Sequence, residues 1–166
     1  MAIVFHHMLH TQHEINTNFY IILRRLLFYL RQIIINHYRK ELVLLEHRII
    51  IKRAYEDISS IPGKKYLVDI WWPRGIKKEK LKDAEWKKTI SPSSEVIKRF
   101  HAGEIAFEEF KREYLNKLDK NQDAKDFLEQ CKADLANEDV ILLYAAKNEQ
   151  ENNAIVLKEW LEKFLT

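Results

Sequence analysis

Apolar and polar positions recur in two rhythms along the chain, and the changes of rhythm place the elements. Residues 49–54, "IIIKRA", are short, β-branched and apolar, which predicts a strand. Residues 66–72, "YLVDIWW", predict a second strand, stopped by Pro73 and Gly75. Residues 139–146, "DVILLYAA", predict a third, whose unbroken apolar run is the mark of a strand covered on both faces. Between the second and third strands the spacing turns helical. Ser93 or Ser94 caps a short helix reaching Phe100. Phe107, Phe110, Tyr114 and Leu118 form one apolar stripe, and Ala124, Phe127, Leu128, Cys131 and Leu135 form another. A last helix from about Asn152 buries Val156, Leu157, Trp160, Leu161 and Phe164.

The order β-β-α-α-α-β-α predicts a small α/β sandwich. The long helical crossover makes the second and third strands parallel. The first connection, "YEDISSIPGKK", is too short for a helical crossover and leaves the direction of the first strand open.

Upstream of this domain the pattern differs. Leu23, Leu26, Leu27, Leu30, Ile33 and Ile34 fill one side of a helix, opposite Arg24, Arg25, Arg31 and Gln32. Arginines inside the run from Phe19 to Ile35 argue against a membrane-spanning helix, since each costs roughly 2.5–3.5 kcal/mol at mid-bilayer. No small-residue cleavage pattern of a secretory signal is present. Three readings stand: an amphipathic helix on a membrane surface or partner, a packed extra helix, or translation from a misplaced start. For the last, "RKEL" reads as a translated purine-rich ribosome-binding site just before a start at Val43, Leu44 or Leu45.

Charge sharpens this boundary. Residues 1–48 hold six Lys/Arg against three Asp/Glu, whereas the rest of the chain holds 22 of each, so the net charge of +3 resides in the first segment. Six of seven histidines lie there too, and every glycine and proline lies beyond it. The expected organisation is therefore an N-terminal extension at 1–48 and an α/β domain at 49–166. With 46% hydrophobic and 32% charged residues, the composition is that of a globular protein. The lone Cys131 excludes a disulfide framework and a multi-cysteine metal cluster, and suits a cytoplasmic protein.

In parallel sheets ligands collect outside the carboxyl ends of the strands. "WWPRG" leaves the second strand there, and "AAKNEQENN" leaves the third and enters the last helix, capped by Asn152 or Asn153. Arg74 and Lys147 are then expected to face a small anion such as phosphate or carboxylate. Asp69 shares a strand face with Leu67 and Trp71, where a carboxylate needs a partner; Arg53, Arg74 and Lys147 are the candidates. The alternative is that Asp69 holds the turn through backbone N–H groups.

The stretches "KRAYE", "YLVDIWWPRGIKK", "EWKKTISPSSE", "FHAGE", "FKREYL" and "LLYAAKNEQENNAIVLKEWL" resemble the YeaO-like family, domain of unknown function 488, from about Ile50 to the C-terminus. The resemblance implies a small Rossmann-like three-layer domain with a short, mainly parallel sheet, preceded here by an extra N-terminal helical segment. It implies no established activity. The motif positions it carries over are Arg53, Tyr55, Asp69, Trp72, Pro73, Arg74, Gly75, Lys147 and Asn152. Two positions depart from it: Ile70 replaces a usual arginine, and Asn153 stands where histidine is usual. An asparagine binds and caps, but it does not shuttle a proton near neutral pH.

Other constellations carry less. Glu104 is the only acid at helical spacing from His101, and the serines around Pro92 read as turn and cap, so no metal site or nucleophile is indicated. No G-x-G-x-x-G or Walker loop is present, so no cofactor is expected, and a transferase or methyltransferase label has no motif behind it. Residues 74–88 hold seven basic and three acidic residues beside Trp71, Trp72 and Trp86, the alternative basis for a nucleic-acid or regulatory-partner module. A misplaced start predicts that peptides covering Phe19 to Arg39 are missing from the native protein. Detecting them by mass spectrometry would exclude it.

Overall fold

A strand buried on both faces needs cover from two directions, and that need organises the α/β part of the molecule. The structure, a computed structural model, describes residues 23–35 and 47–165, which belong to two compact units, 1–42 and 43–166. In the first unit, helix α1 spans residues 23–35 and carries Leu26, Leu30 and Ile33 on one side, with Arg24, Arg31 and Gln32 on the other. Its apolar side chains are exposed, Phe28 and Ile33 by 61% each. Among the described residues no helix is long and apolar enough to cross a membrane. Arg39 and the alternative start at residues 43–45 lie outside the described residues.

The second unit contains β1 (Ile49–Arg53), β2 (Lys64–Leu67), β3 (Ala84–Trp86), α2 (Ser94–His101), α3 (Phe107–Lys120), α4 (Gln122–Leu135), β4 (Val140–Tyr144) and α5 (Asn153–Leu165). The sheet order is β1-β4-β2-β3, and every pairing is parallel. The direction of β1, open from the residues alone, is parallel to β4, with Ile49 opposite Val140 and Arg53 opposite Tyr144.

All five residues of β4 are buried, as their unbroken apolar run requires. Val140, Leu142 and Tyr144 join the core built with α3, α4 and α5, while Ile141 and Leu143 join a second cluster with Ala54, Ile58, Leu67 and Leu81. The second face is thus covered by turns around residues 54–61 and 72–84, and the third layer is irregular chain. Cys131 is buried in the helical layer, where burial pushes its thiol up to about 12, so it packs and does not react. Ser93 caps α2 by accepting the Val96 N–H at 3.2 Å.

Three expectations need correction. The second strand closes at Leu67, because the carbonyls of Val68 and Asp69 find their hydrogen-bond partners outside the ladder. The span between the second and third predicted strands is not wholly helical: Ala84–Trp86 pairs with β2 as a short edge strand, and Lys78–Leu81 and Lys88–Ile90 are 3-10 turns. Phe164 is 44% exposed and lies edge-on to Trp160 instead of entering the core.

Gly63 shows how tightly β2 is placed. Its φ is +119°, and a Cβ there would lie 2.5 Å from the Asp139 carbonyl oxygen, the same atom that accepts the Lys64 N–H at 2.8 Å. Gly63→Ala is expected to destabilise the domain by at least about 2 kcal/mol, because backbone strain and a backbone clash coincide. Gly75 has φ +79°, but a Cβ there would meet nothing within 4 Å, so Gly75→Ala should cost only about 1 kcal/mol. Urea denaturation of both variants checks the difference.

Candidate functional site

The chain leaves the sheet after Leu67 because side chains satisfy the backbone there. The Val68 N–H still donates to the Leu143 carbonyl at 3.0 Å. The Val68 carbonyl accepts Ser91 Oγ at 2.9 Å and Asn153 Nδ2 at 2.9 Å, and the Asp69 carbonyl accepts Trp86 Nε1 at 2.7 Å. Freed from the ladder, the backbone runs into the Trp-Trp-Pro-Arg-Gly turn. That turn is closed by the Ile76 N–H on the Pro73 carbonyl at 3.2 Å and by Trp72 Nε1 on the Ile76 carbonyl at 2.7 Å. Gly75 supplies the positive φ.

Asn152 caps α5: its Oδ1 accepts the Ile155 N–H at 3.1 Å, while its Nδ2 donates to the Asn148 carbonyl at 3.0 Å. It is 2% exposed. The adjacent Asn153 reaches back to the end of β2. Its Nδ2 donates both to the Val68 carbonyl and, at 3.1 Å, to Asp69 Oδ1. Both acceptors are oxygens without a proton to give, so the amide must present its NH₂ to them.

Between these elements lies a cavity of about 180 Å³. Its polar lining is Asp69, Arg74, His101, Glu151, Asn152 and Asn153, and its apolar walls include Trp71, Trp72, Phe100 and Phe110. Five of the eight candidate residues thus meet at one cavity: Asp69, Trp72, Arg74, Asn152 and Asn153. The other three do not line it. Arg53 donates Nε to the Ala146 carbonyl at 3.0 Å and lies 5.6 Å from the Tyr55 ring centre. Tyr55 donates its hydroxyl to the Arg74 carbonyl at 3.1 Å, so this pair braces the turn from outside. Lys147 is exposed and stands apart from the lining.

The expected cationic partner of Asp69 is also corrected. No lysine or arginine among the described residues bonds to its carboxylate; Asn153 and the Ala145 N–H do. Burial raises its pKa to about 6, and the hydrogen bonds from Asn153 and Ala145 limit the rise. Sequence reasoning missed the contribution of α2 and α3: His101 reads as a helix-terminal residue and Phe110 as core, and both are, yet both also face the cavity. Glu151 was hidden in a polar loop with nothing to mark it. The sole signal was the join between the "FHAGE" segment and the end of an apolar helix stripe.

A parallel α/β domain with a partly enclosed, aromatic-walled cavity beyond its strand ends is the class that fold and site define. The chain belongs to the DUF488 family: residues 48–166 match the family model described as "Inactive DUF488-N3 subclade". It is 40% identical over 111 residues to the "Uncharacterized protein YeaO" of Escherichia coli strain K12, covering 66% of this chain and 93% of that one. It is 37% identical over 73 residues to "Uncharacterized protein Rv3073c" of Mycobacterium tuberculosis and to "Uncharacterized protein Mb3100c" of Mycobacterium bovis, covering 44% of this chain and 62% of each relative. No solved structure matches the chain.

The raised pKa fixes the sign of a pH effect. Between about pH 4 and 6 the folded state holds a proton on Asp69 that the unfolded state has released. The stability from this group is fully present below the ordinary 3.8 and is lost as pH rises through about 6. The loss amounts to about 3 kcal/mol at most. Asp69→Asn is therefore expected to gain on the wild type between pH 4 and pH 7.5 in urea denaturation series. Parallel pH profiles for the two proteins would contradict this.

Proposed function

We propose that this domain is a non-catalytic binding module that holds a small ligand in the cavity at the strand ends, with an anionic group of the ligand on Arg74. The observation that carries the reading is the convergence of the Trp-Trp-Pro-Arg-Gly turn, the C-terminus of α2 and the start of α5 on one cavity. The guanidinium of Arg74 makes no ion pair or hydrogen bond among the described residues, which leaves its fork free for a carboxylate or phosphate. Among the described residues the lining has no serine, threonine, cysteine or lysine to act as a nucleophile. Asn153 occupies the place beside Asp69 where an imidazole would serve as proton carrier, and the family description "inactive" fits that.

The anion reading is narrower than the sequence suggested, since Arg53 is committed to a carbonyl and Lys147 stands outside the lining. The rival nucleic-acid surface at residues 74–88 has less support. Lys80 donates to the Tyr55 carbonyl at 2.8 Å, and Lys87 donates to Glu85 and Gln130 at 2.6 Å each. Trp72 and Trp86 pack edge to face at 5.5 Å, which occupies part of the ring surface of two of the three aromatics, although Trp86 stays 39% exposed.

A ligand that binds only the folded state raises the melting temperature, by an amount equivalent to about 2.7 kcal/mol at a hundredfold excess over Kd. A thermal-shift panel of phosphates, phosphonates and carboxylates should contain stabilising members. Arg74→Ala should abolish their effect and Lys147→Ala should leave it intact. An unchanged melting temperature across the panel, or a shift that survives Arg74→Ala, would count against the reading.

A further inference from the structure

Among the described residues Arg74 is the only arginine or lysine in the cavity lining, which also holds two carboxylates, Asp69 and Glu151, beside His101. Asp69 is partly buried there and has no cationic partner among the described residues. Its carboxyl, though pushed up to about 6 by burial, is still ionised at neutral pH. Glu151 adds a second carboxylate, oriented by Asn148, whose Nδ2 donates to Glu151 Oε2 at 3.1 Å. Trp71, Trp72 and Phe100 add aromatic surface, and the negative faces of such rings attract organic cations. The residues that could have neutralised Asp69 are held elsewhere: Arg53 on the Ala146 carbonyl, Lys147 outside the lining.

A carboxylate removed from water is stabilised by a partner of opposite charge, and among the described residues no lysine or arginine bonds to this one. We infer that the ligand supplies it: the cavity takes a small zwitterion whose ammonium group pairs with Asp69 among the aromatic rings while its carboxylate or phosphate meets Arg74. This deepens the binding reading above and rests on it. It also gives two residues of the lining different tasks. Asp69 selects for charge on the amine, and Arg74 holds the acid.

Isothermal titration calorimetry on the full chain separates the two. The probes are ω-amino acids from glycine to 6-aminohexanoate, each beside its hydroxy acid and its plain carboxylic acid of equal length. At least one amino acid should bind tenfold or more tightly than its hydroxy and plain counterparts. Asp69→Asn should erase that advantage, and binding of the plain acid should not weaken, because a negative charge beside the anion has been removed, whereas Arg74→Ala should weaken all three. Equal affinity of amino, hydroxy and plain acids would overturn the zwitterion while leaving an anion site in place. An advantage that persists in Asp69→Asn would overturn it as well, by placing the cation elsewhere. Binding of none of the probes to the wild type would overturn the zwitterion, and together with an unchanged melting temperature across the phosphates and phosphonates it would overturn the anion site as well. The comparison of amino with hydroxy acids needs no variant, so it stands even where Asp69→Asn fails to fold.

Discussion

Two carbonyl groups at the end of β2 govern the rest of the site. When a strand stops inside a sheet, its last backbone acceptors must find donors or carry the cost of burial. Here Ser91, Asn153 and Trp86 provide them, from a 3-10 turn's end, a helix start and an edge strand respectively. Because those donors are side chains, the backbone can turn out of the sheet plane directly after Leu67. Asp69 then lies at the cavity and the tryptophan turn closes over it. Had Val68 and Asp69 stayed in the ladder, the second strand would have filled the space that the cavity occupies.

The same economy links fold to electrostatics. Asn153 uses one NH₂ group for two purposes, satisfying the Val68 carbonyl and holding Asp69 Oδ1. A neutral donor orients a carboxylate without cancelling its charge. Arg53 in the role of partner would have formed an ion pair and removed any reason for the cavity to attract a cation. It instead spans from β1 to the Ala146 carbonyl, where it ties the ends of β1 and β4 together. Ala54 adds its N–H to the Tyr144 carbonyl at 2.8 Å beside it. Stabilising the strand ends and charging the cavity have thus been assigned to different residues.

Much of this was legible in the sequence, for reasons that differ by residue. The unbroken apolar run of β4 could only be a doubly covered strand, and the 3.6-residue stripes of α3 and α4 could only be helices packed on one face. The convergence of Asp69, Arg74 and Asn152 followed from parallel topology, which sends the carboxyl ends of β2 and β4 to one edge. What the sequence hid was direction. Arg53, Arg74 and Lys147 look equivalent as letters, but only Arg74 lines the cavity, because Arg53 is drawn to a carbonyl and Lys147 projects from an exposed loop. The strand Ala84–Trp86 was hidden as well, since three residues among lysines show no alternation to read.

Asn153 beside Asp69, at a position where the family resemblance implies a histidine, has an electrostatic consequence. An imidazole there would exchange protons with the carboxylate, and its positive form would neutralise it. The amide does neither, so the charge of Asp69 at neutral pH remains for whatever enters the cavity. Having no proton carrier beside the carboxylate and leaving its charge uncancelled are two results of one residue type. The cavity, the turn and the helix cap suit the proposed holding of a ligand, which asks for no proton transfer. Asn152 as cap and Arg74 at the turn fit that proposed role, because neither depends on proton transfer.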